Sequence, residues 1–161
     1  MTAEQNGFGA NLSLLSGYDE EGVKAYKDAI GKVIAYVVVD TKADPNHIRF
    51  VFTDHTGLDL YDDAQSCCES RYLHTDDTLD YYKDSILQGV NLKDGPDIGD
   101  EDNSHEQTFL EIVTSKGSFT VVSHNEHNGY YGGIIIKPRP FTPMEAVTEQ
   151  PKQRSKRNAK K

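Results

Sequence analysis

The chain has 161 residues, of which 36% are hydrophobic and 27% charged, with a formal net charge of −9 and a mean hydropathy of −0.65. That length suits one domain of the usual ~100–200 residues, and the longest apolar run, Val33 to Val39, is far short of the roughly 18 residues that cross a bilayer. So acidic a chain argues against a folded surface that grips nucleic-acid phosphates.

Residues 1–17 read as a flexible polar arm with one apolar patch at Leu12, Leu14 and Leu15. Met1 to Asn6 have neither the basic start nor the apolar segment of a signal peptide, so a cytoplasmic location is expected. A single domain is placed at 18–141. Asp19-Glu20-Glu21 opens a short helix, with acids in its first turn, Val23, Tyr26 and Ile30 at helical spacing, and Gly31 as its stop. In Val33 to Val39 both alternate sets are apolar and β-branched, which predicts a strand buried on both faces.

Ile48, Phe50 and Phe52 then alternate with Arg49, Val51 and Thr53, and Asp54-His55-Thr56-Gly57 turns the chain back into Leu58 to Tyr61. This is a hairpin of half-buried strands. Thr75-Asp76-Asp77 reads as the start of a second short helix, with Leu79 and Tyr82 on one face. Ile86, Gln88, Val90 and Leu92 read as the next strand, and Lys93 to His105 as an exposed acidic loop. Thr108, Leu110, Ile112 and Thr114 begin a second hairpin, turning at Ser115-Lys116-Gly117 and returning through Phe119, Val121 and Val122. Ile134 to Ile136 are expected as a last strand, ended by Pro138, Pro140 and Pro143. The remainder, 142–161, reads as a disordered basic tail. Six of the 17 basic residues and one of the 26 acidic ones lie in 149–161, so the tail can make weak nucleic-acid contact. Hairpins dominate and no βαβ alternation is present. The expected class is α+β, a mainly antiparallel sheet carrying two short helices.

Two polar stretches each follow a hairpin, Ser66 to Tyr72 and Ser123 to Gly133. Together they carry the candidate chemistry. Tyr61, Tyr72, Tyr130 and Tyr131 offer flat faces and hydroxyls to a planar ligand, and Arg71 suits either Glu69 or Glu126 as a partner, or an anionic ligand. Asn128-Gly129 is a strong turn signal. The candidate ligand-binding set is Glu69, Arg71, Tyr72, Glu126, Asn128, Tyr130 and Tyr131, with Glu69 and Arg71 expected to face the others. Cys67 and Cys68 with His124 or His127 form the minimal set for a thiol hydrolase, and the same residues are types that zinc accepts. Against this, Asp62, Asp63 and Glu69 would raise a nearby thiol's pKa, and no Cys-x-x-Cys pair is present.

The pieces Gln65-Ser66-Cys67-Cys68-Glu69, Thr108-Phe109 to Lys116-Gly117, and Glu126 followed by Asn128-Gly129-Tyr130-Tyr131 resemble a family of small domains of unknown function found largely in bacteriophages and bacteria. The resemblance spans roughly 32–137. It implies a phage or bacterial origin and no particular mechanism, and it does not extend to His124 and His127, where many members carry other residues. The resulting expectation is a non-enzymatic module that binds a host protein or a small molecule through its Tyr/Gly-rich face. No catalytic residue, metal or cofactor is assigned. The alternatives are the thiol- or zinc-dependent hydrolase and a virion component whose tail touches DNA.

Overall fold

The computed structural model describes residues 20–63, 68–129 and 132–143. The arm, Cys67, Tyr130, Tyr131 and the tail from 144 onward lie outside the described residues. Helix α1 (Glu20–Ala29) has Glu20 and Glu21 at its electropositive end and Lys27 in its last turn. It stops at Gly31, whose φ of +93° is left-handed. Its buried stripe is Gly22, Tyr26 and Ala29. Ile30, expected on that stripe, is exposed instead, because Ala29 already occupies the core-facing position one turn after Tyr26.

Among the described residues eight strands follow: β1 (Ile34–Asp40), β2 (His47–Phe52), β3 (Gly57–Asp62), β4 (Glu69–His74), β5 (Leu87–Asp94), β6 (Ser104–Thr114), β7 (Gly117–His127) and β8 (Ile136–Phe141). Every pairing is antiparallel. The strands form two sheets, ordered β1-β2-β3-β8 and β4-β7-β6-β5. The mainly antiparallel α+β class therefore holds, with two sheets in place of one. The second predicted helix is only a 3-10 turn, Leu79–Tyr82, and the chain is extended again at Lys83. Leu79 and Tyr82 are three residues apart, which suits a three-residue period and supplies no further turn.

Three strands differ from their predicted form. The first, β1, is a sheet edge rather than a doubly buried strand, and Tyr36 and Val38 of β1 are exposed. In β5 a register shift between Leu87 and Gly89 breaks the predicted alternation, so that Leu87 and Val90 turn inward while Ile86 is exposed. In β8 the prolines lie within the strand, opposite Leu60 and Leu58. An edge position allows this, because a proline without an N–H costs no ladder bond on the unpaired side.

One core joins both sheets and the helix. Ile48, Phe50, Phe52, Leu58 and Leu60 from the first sheet meet Leu87, Leu110, Ile112, Phe119 and Val121 from the second, with Tyr26 and Ala29 of α1. Each such side chain contributes about 1.5–3 kcal/mol when fully buried. The Tyr26 hydroxyl also accepts the Val90 N–H at 3.2 Å and faces the Val90 carbonyl at 3.4 Å, covering a stretch of the β5 edge.

The chain passes between the sheets at β3→β4 and at β7→β8. The two polar stretches lead into and out of these passages, 123–127 within β7 and 69–72 within β4. Described residues flanking the two passages meet at one end of the molecule, where the Asp63 N–H donates to the Ile135 carbonyl at 2.9 Å.

Candidate functional site

The stretch Ser123 to His127, expected as a loop or strand edge, lies in β7, paired on one side with β4 and on the other with β6. Alternate residues on a strand face opposite ways. Phe119 and Val121 are in the core, so Ser123, Asn125 and His127 share the inner face while His124 and Glu126 take the outer one. Register places Arg71 and Glu106 on either side of Asn125, and Tyr72 and Gln107 on either side of His124. The predicted site is thereby divided by the thickness of the sheet.

On the inner face the core becomes polar at the end where the chain crosses. Arg71, its side chain 5% exposed, grips Glu69 through Nε (3.1 Å) and Nη2 (2.7 Å). Its Nη1 donates to Asp62 at 2.7 Å and to the Gly133 carbonyl at 2.8 Å. Burial alone would pull the guanidinium pKa down, but the bonds and charges of Glu69 and Asp62 outweigh it and the pKa is raised. The Asp62 carboxylate also accepts the Ile135 N–H at 3.1 Å. Asn125 spans Glu69 (3.3 Å), Glu106 (3.5 Å) and the Gly133 carbonyl (3.3 Å) through Nδ2.

His127 accepts the Gly129 N–H on Nδ1 at 3.0 Å, which leaves Nε2 to donate to Glu106 at 2.8 Å. The same Glu106 oxygen accepts the Gly133 N–H at 2.9 Å. This network ties both crossings together. Arg71 and Glu69 are partners of each other on the face opposite Glu126, and the Arg71 guanidinium is consumed by the fold.

On the outer face Tyr72 stacks on His124, with ring centroids 4.5 Å apart and planes 13° from parallel. His124 Nδ1 lies 2.8 Å from His105 Nε2, so the two rings share one proton between those atoms. Tyr72 donates its hydroxyl proton to Glu126. Burial, then the Glu126 carboxylate, push the Tyr72 pKa up to about 12, so the hydroxyl remains a donor at neutral pH and fixes Glu126. The other Glu126 oxygen meets no donor among the described residues.

Beside this cluster is a groove of about 650 Å³, bounded by Cys68, Gly99, Asn103, His105, Glu126 and Asn128. Its wall is the loop between β5 and β6. Asp97 holds that loop by accepting the His105 N–H (2.8 Å) and the Gly99 N–H (2.9 Å), and these bonds keep its pKa below the usual value.

His124 carries a pH dependence. Burial first, then the neighbouring His105 and His74, hold its pKa below the ordinary 6.5, with Glu126 opposing them. The unfolded chain therefore takes up a proton that the folded chain refuses. Stability from this residue is complete above about pH 6.5 and is lost as the pH falls toward the folded value. Denaturation midpoints of the wild type should drop more between pH 7.5 and 5.5 than those of His124→Gln. Parallel curves for the two would contradict this assignment.

Of the sequence-predicted site residues, Glu126 and Asn128 line the groove, Tyr72 is bonded to Glu126 beside it, and Glu69 and Arg71 lie behind the sheet. Tyr130 and Tyr131 are outside the described residues. His124 and His127 point to opposite faces, and His127 lines the groove together with the exposed Cys68. Among the described residues no three His, Cys, Asp or Glu side chains form a metal-binding group, and no helix is long and apolar enough to cross a membrane. The residue that sequence reasoning missed is His105, placed there at the end of a loop. Counting back by twos from Leu110 puts Glu106 inward and His105 outward, opposite Glu126.

A family model described as a domain of unknown function (DUF7448) matches residues 27–137. No curated protein and no solved structure matches the chain.

Proposed function

The chain belongs to the DUF7448 family of domains of unknown function, whose model spans both crossings and the groove, and from that premise we propose that it is a non-enzymatic module binding a small polar molecule in the groove beside Glu126. The ligand carries N–H donors, as an amine, a guanidine or a nucleobase edge does. A phage or bacterial origin and action in the cytoplasm on a host molecule belong to the same proposal.

The observation that supports it is Glu126. Tyr72 orients its carboxylate through one oxygen and leaves the other open, next to a groove whose volume lies in the ~300–1,000 Å³ range of small-molecule sites. His105, Asn103 and Asn128 add acceptors and donors around it. His127 is committed to Glu106 and Gly129.

The test is native mass spectrometry of protein taken directly from the cells that make it, paired with thermal melting against a panel of amines, guanidines and nucleosides. A retained or stabilising ligand should be lost in Glu126→Gln and weakened about tenfold in Tyr72→Phe, as expected for a hydrogen bond to a charged group. A bare chain mass together with no panel member raising the melting temperature would overturn the reading.

A further inference from the structure

The outer face of the first sheet carries a second constellation, independent of the groove. Arg49 of β2, Asp59 of β3 and Arg139 of β8 form one cross-strand row. Asp59, its side chain 1% exposed, is covered by both arginines. Arg49 grips it with Nε and Nη2, each at 2.8 Å, and Arg139 Nε reaches the same Oδ2 at 3.2 Å. Two guanidiniums are thus gathered on one carboxylate, with Asp40 of β1 on the same face adding its charge beside Arg49. Each guanidinium is backed by a ring: Arg49 lies 3.5 Å over the centroid of Phe141, and Arg139 lies 4.4 Å over that of Tyr61. Arg49 Nη1 and both Nη atoms of Arg139 have no acceptor among the described residues. Tyr36 and Val38, 37% and 43% exposed, continue the same face on β1.

We propose that this face binds single-stranded nucleic acid, with a phosphodiester on the open Nη groups of Arg49 and Arg139 and bases against Tyr36 and the stacked guanidinium planes. Guanidinium forks match a phosphate, and aromatic and arginine planes are what unpaired bases stack on. Asp59 does the positioning, since two like charges would otherwise repel, and the rings fix the planes. The acidic remainder of the chain does not exclude this. At physiological ionic strength charges more than about 8 Å away are largely screened, so the local pair decides short-range contact. Arg139 and Phe141 lie beyond the residues the family model matches, so the proposal concerns this chain rather than its family.

The experiment is fluorescence anisotropy with a labelled oligothymidylate over a salt series that includes physiological ionic strength, using the full chain. Arg139→Gln should weaken binding about tenfold and flatten the plot of log affinity against log salt by about 0.7 per lost phosphate contact. Tyr36→Ala, which breaks no ion pair, should weaken it at least fivefold through lost stacking while leaving the salt slope unchanged. The basic tail is the competing source of affinity. A full chain with Lys152, Arg154, Lys156, Arg157, Lys160 and Lys161 all changed to Gln should keep affinity within about threefold once the weak tail contribution is removed. No binding by the wild type, wild-type binding by Arg139→Gln, or complete loss in the tail-neutralised chain would each overturn the proposal. So would a phosphoserine peptide of equal charge binding as tightly as the oligonucleotide, which would make this a phosphopeptide site.

Discussion

Replacing Arg71 by Met should cost the fold about 3–5 kcal/mol, the usual loss when one partner of a buried ion pair is removed. Met approximates the volume of the side chain, so packing is nearly conserved and the loss is electrostatic. The change leaves Glu69 and Asp62, whose side chains are 0% and 6% exposed, without their cation. It also removes a donor from the Gly133 carbonyl, at the second crossing. Arg71→Lys keeps the charge but not the fork that reaches Glu69 with two nitrogens, so a loss of roughly 1.5–3 kcal/mol is expected. Urea denaturation followed by circular dichroism measures both. A loss under about 1 kcal/mol for Met would mean that the two acids take up protons or water at little cost, and the network would then be ornamental to stability.

Gly99→Ala should open the wall of the groove. A Cβ built there lies 2.0 Å from the Asn103 carbonyl oxygen, 2.7 Å from His105 N and 2.9 Å from Ser104 C. All three are backbone atoms, so no side chain can swing aside and the loop itself must move. The Ile98 N–H to His105 carbonyl bond (3.0 Å) and the Asp100 N–H to Asn103 carbonyl bond (2.8 Å) hold the loop where the Cβ would intrude. Amide hydrogen exchange at Ile98, Asp100 and His105 should quicken by tenfold or more, equivalent to about 1.4 kcal/mol or more of local opening. Gly95→Ala is the control. Its Cβ would meet the Phe109 ring at 2.7 Å, a side chain that can tilt, so those three amides should stay protected. Equal exchange in the two variants would show that the loop is not seated on Gly99.

The hairpins were legible in the sequence because their information is local. Ile48, Phe50 and Phe52 alternate with less apolar neighbours, Gly117 punctuates a turn, and Leu110 and Ile112 keep a period of two. The division into two sheets was not, because it rests on β3 meeting β8 and β4 meeting β7, pairings between distant segments that no local period encodes. Val33 to Val39 looked doubly buried because hydrophobicity does not distinguish an edge from a centre. Pro138 and Pro140 looked like terminators for the complementary reason, since only the position of β8 at an edge makes them harmless.

The candidate site was half legible. Its residue types were evident in Ser123 to His127, but five polar residues in a row carry no hydrophobic alternation, so nothing local marked them as a central strand. The parity needed to sort them was present two residues earlier, in Phe119 and Val121. Extending it would have separated Asn125 and His127 from His124 and Glu126, and Arg71 from Tyr72.

That parity has an evolutionary consequence. Odd-numbered positions from 123 to 127 serve the interior, and even-numbered ones take the opposite face, His124 packed against Tyr72 and Glu126 exposed at the groove. A lineage can therefore exchange His124 or Glu126 without disturbing the buried network one residue away. An insertion of one residue here would do the opposite, turning every interior group outward at once. Substitution is the tolerated route to diversity along this strand, and length change is not.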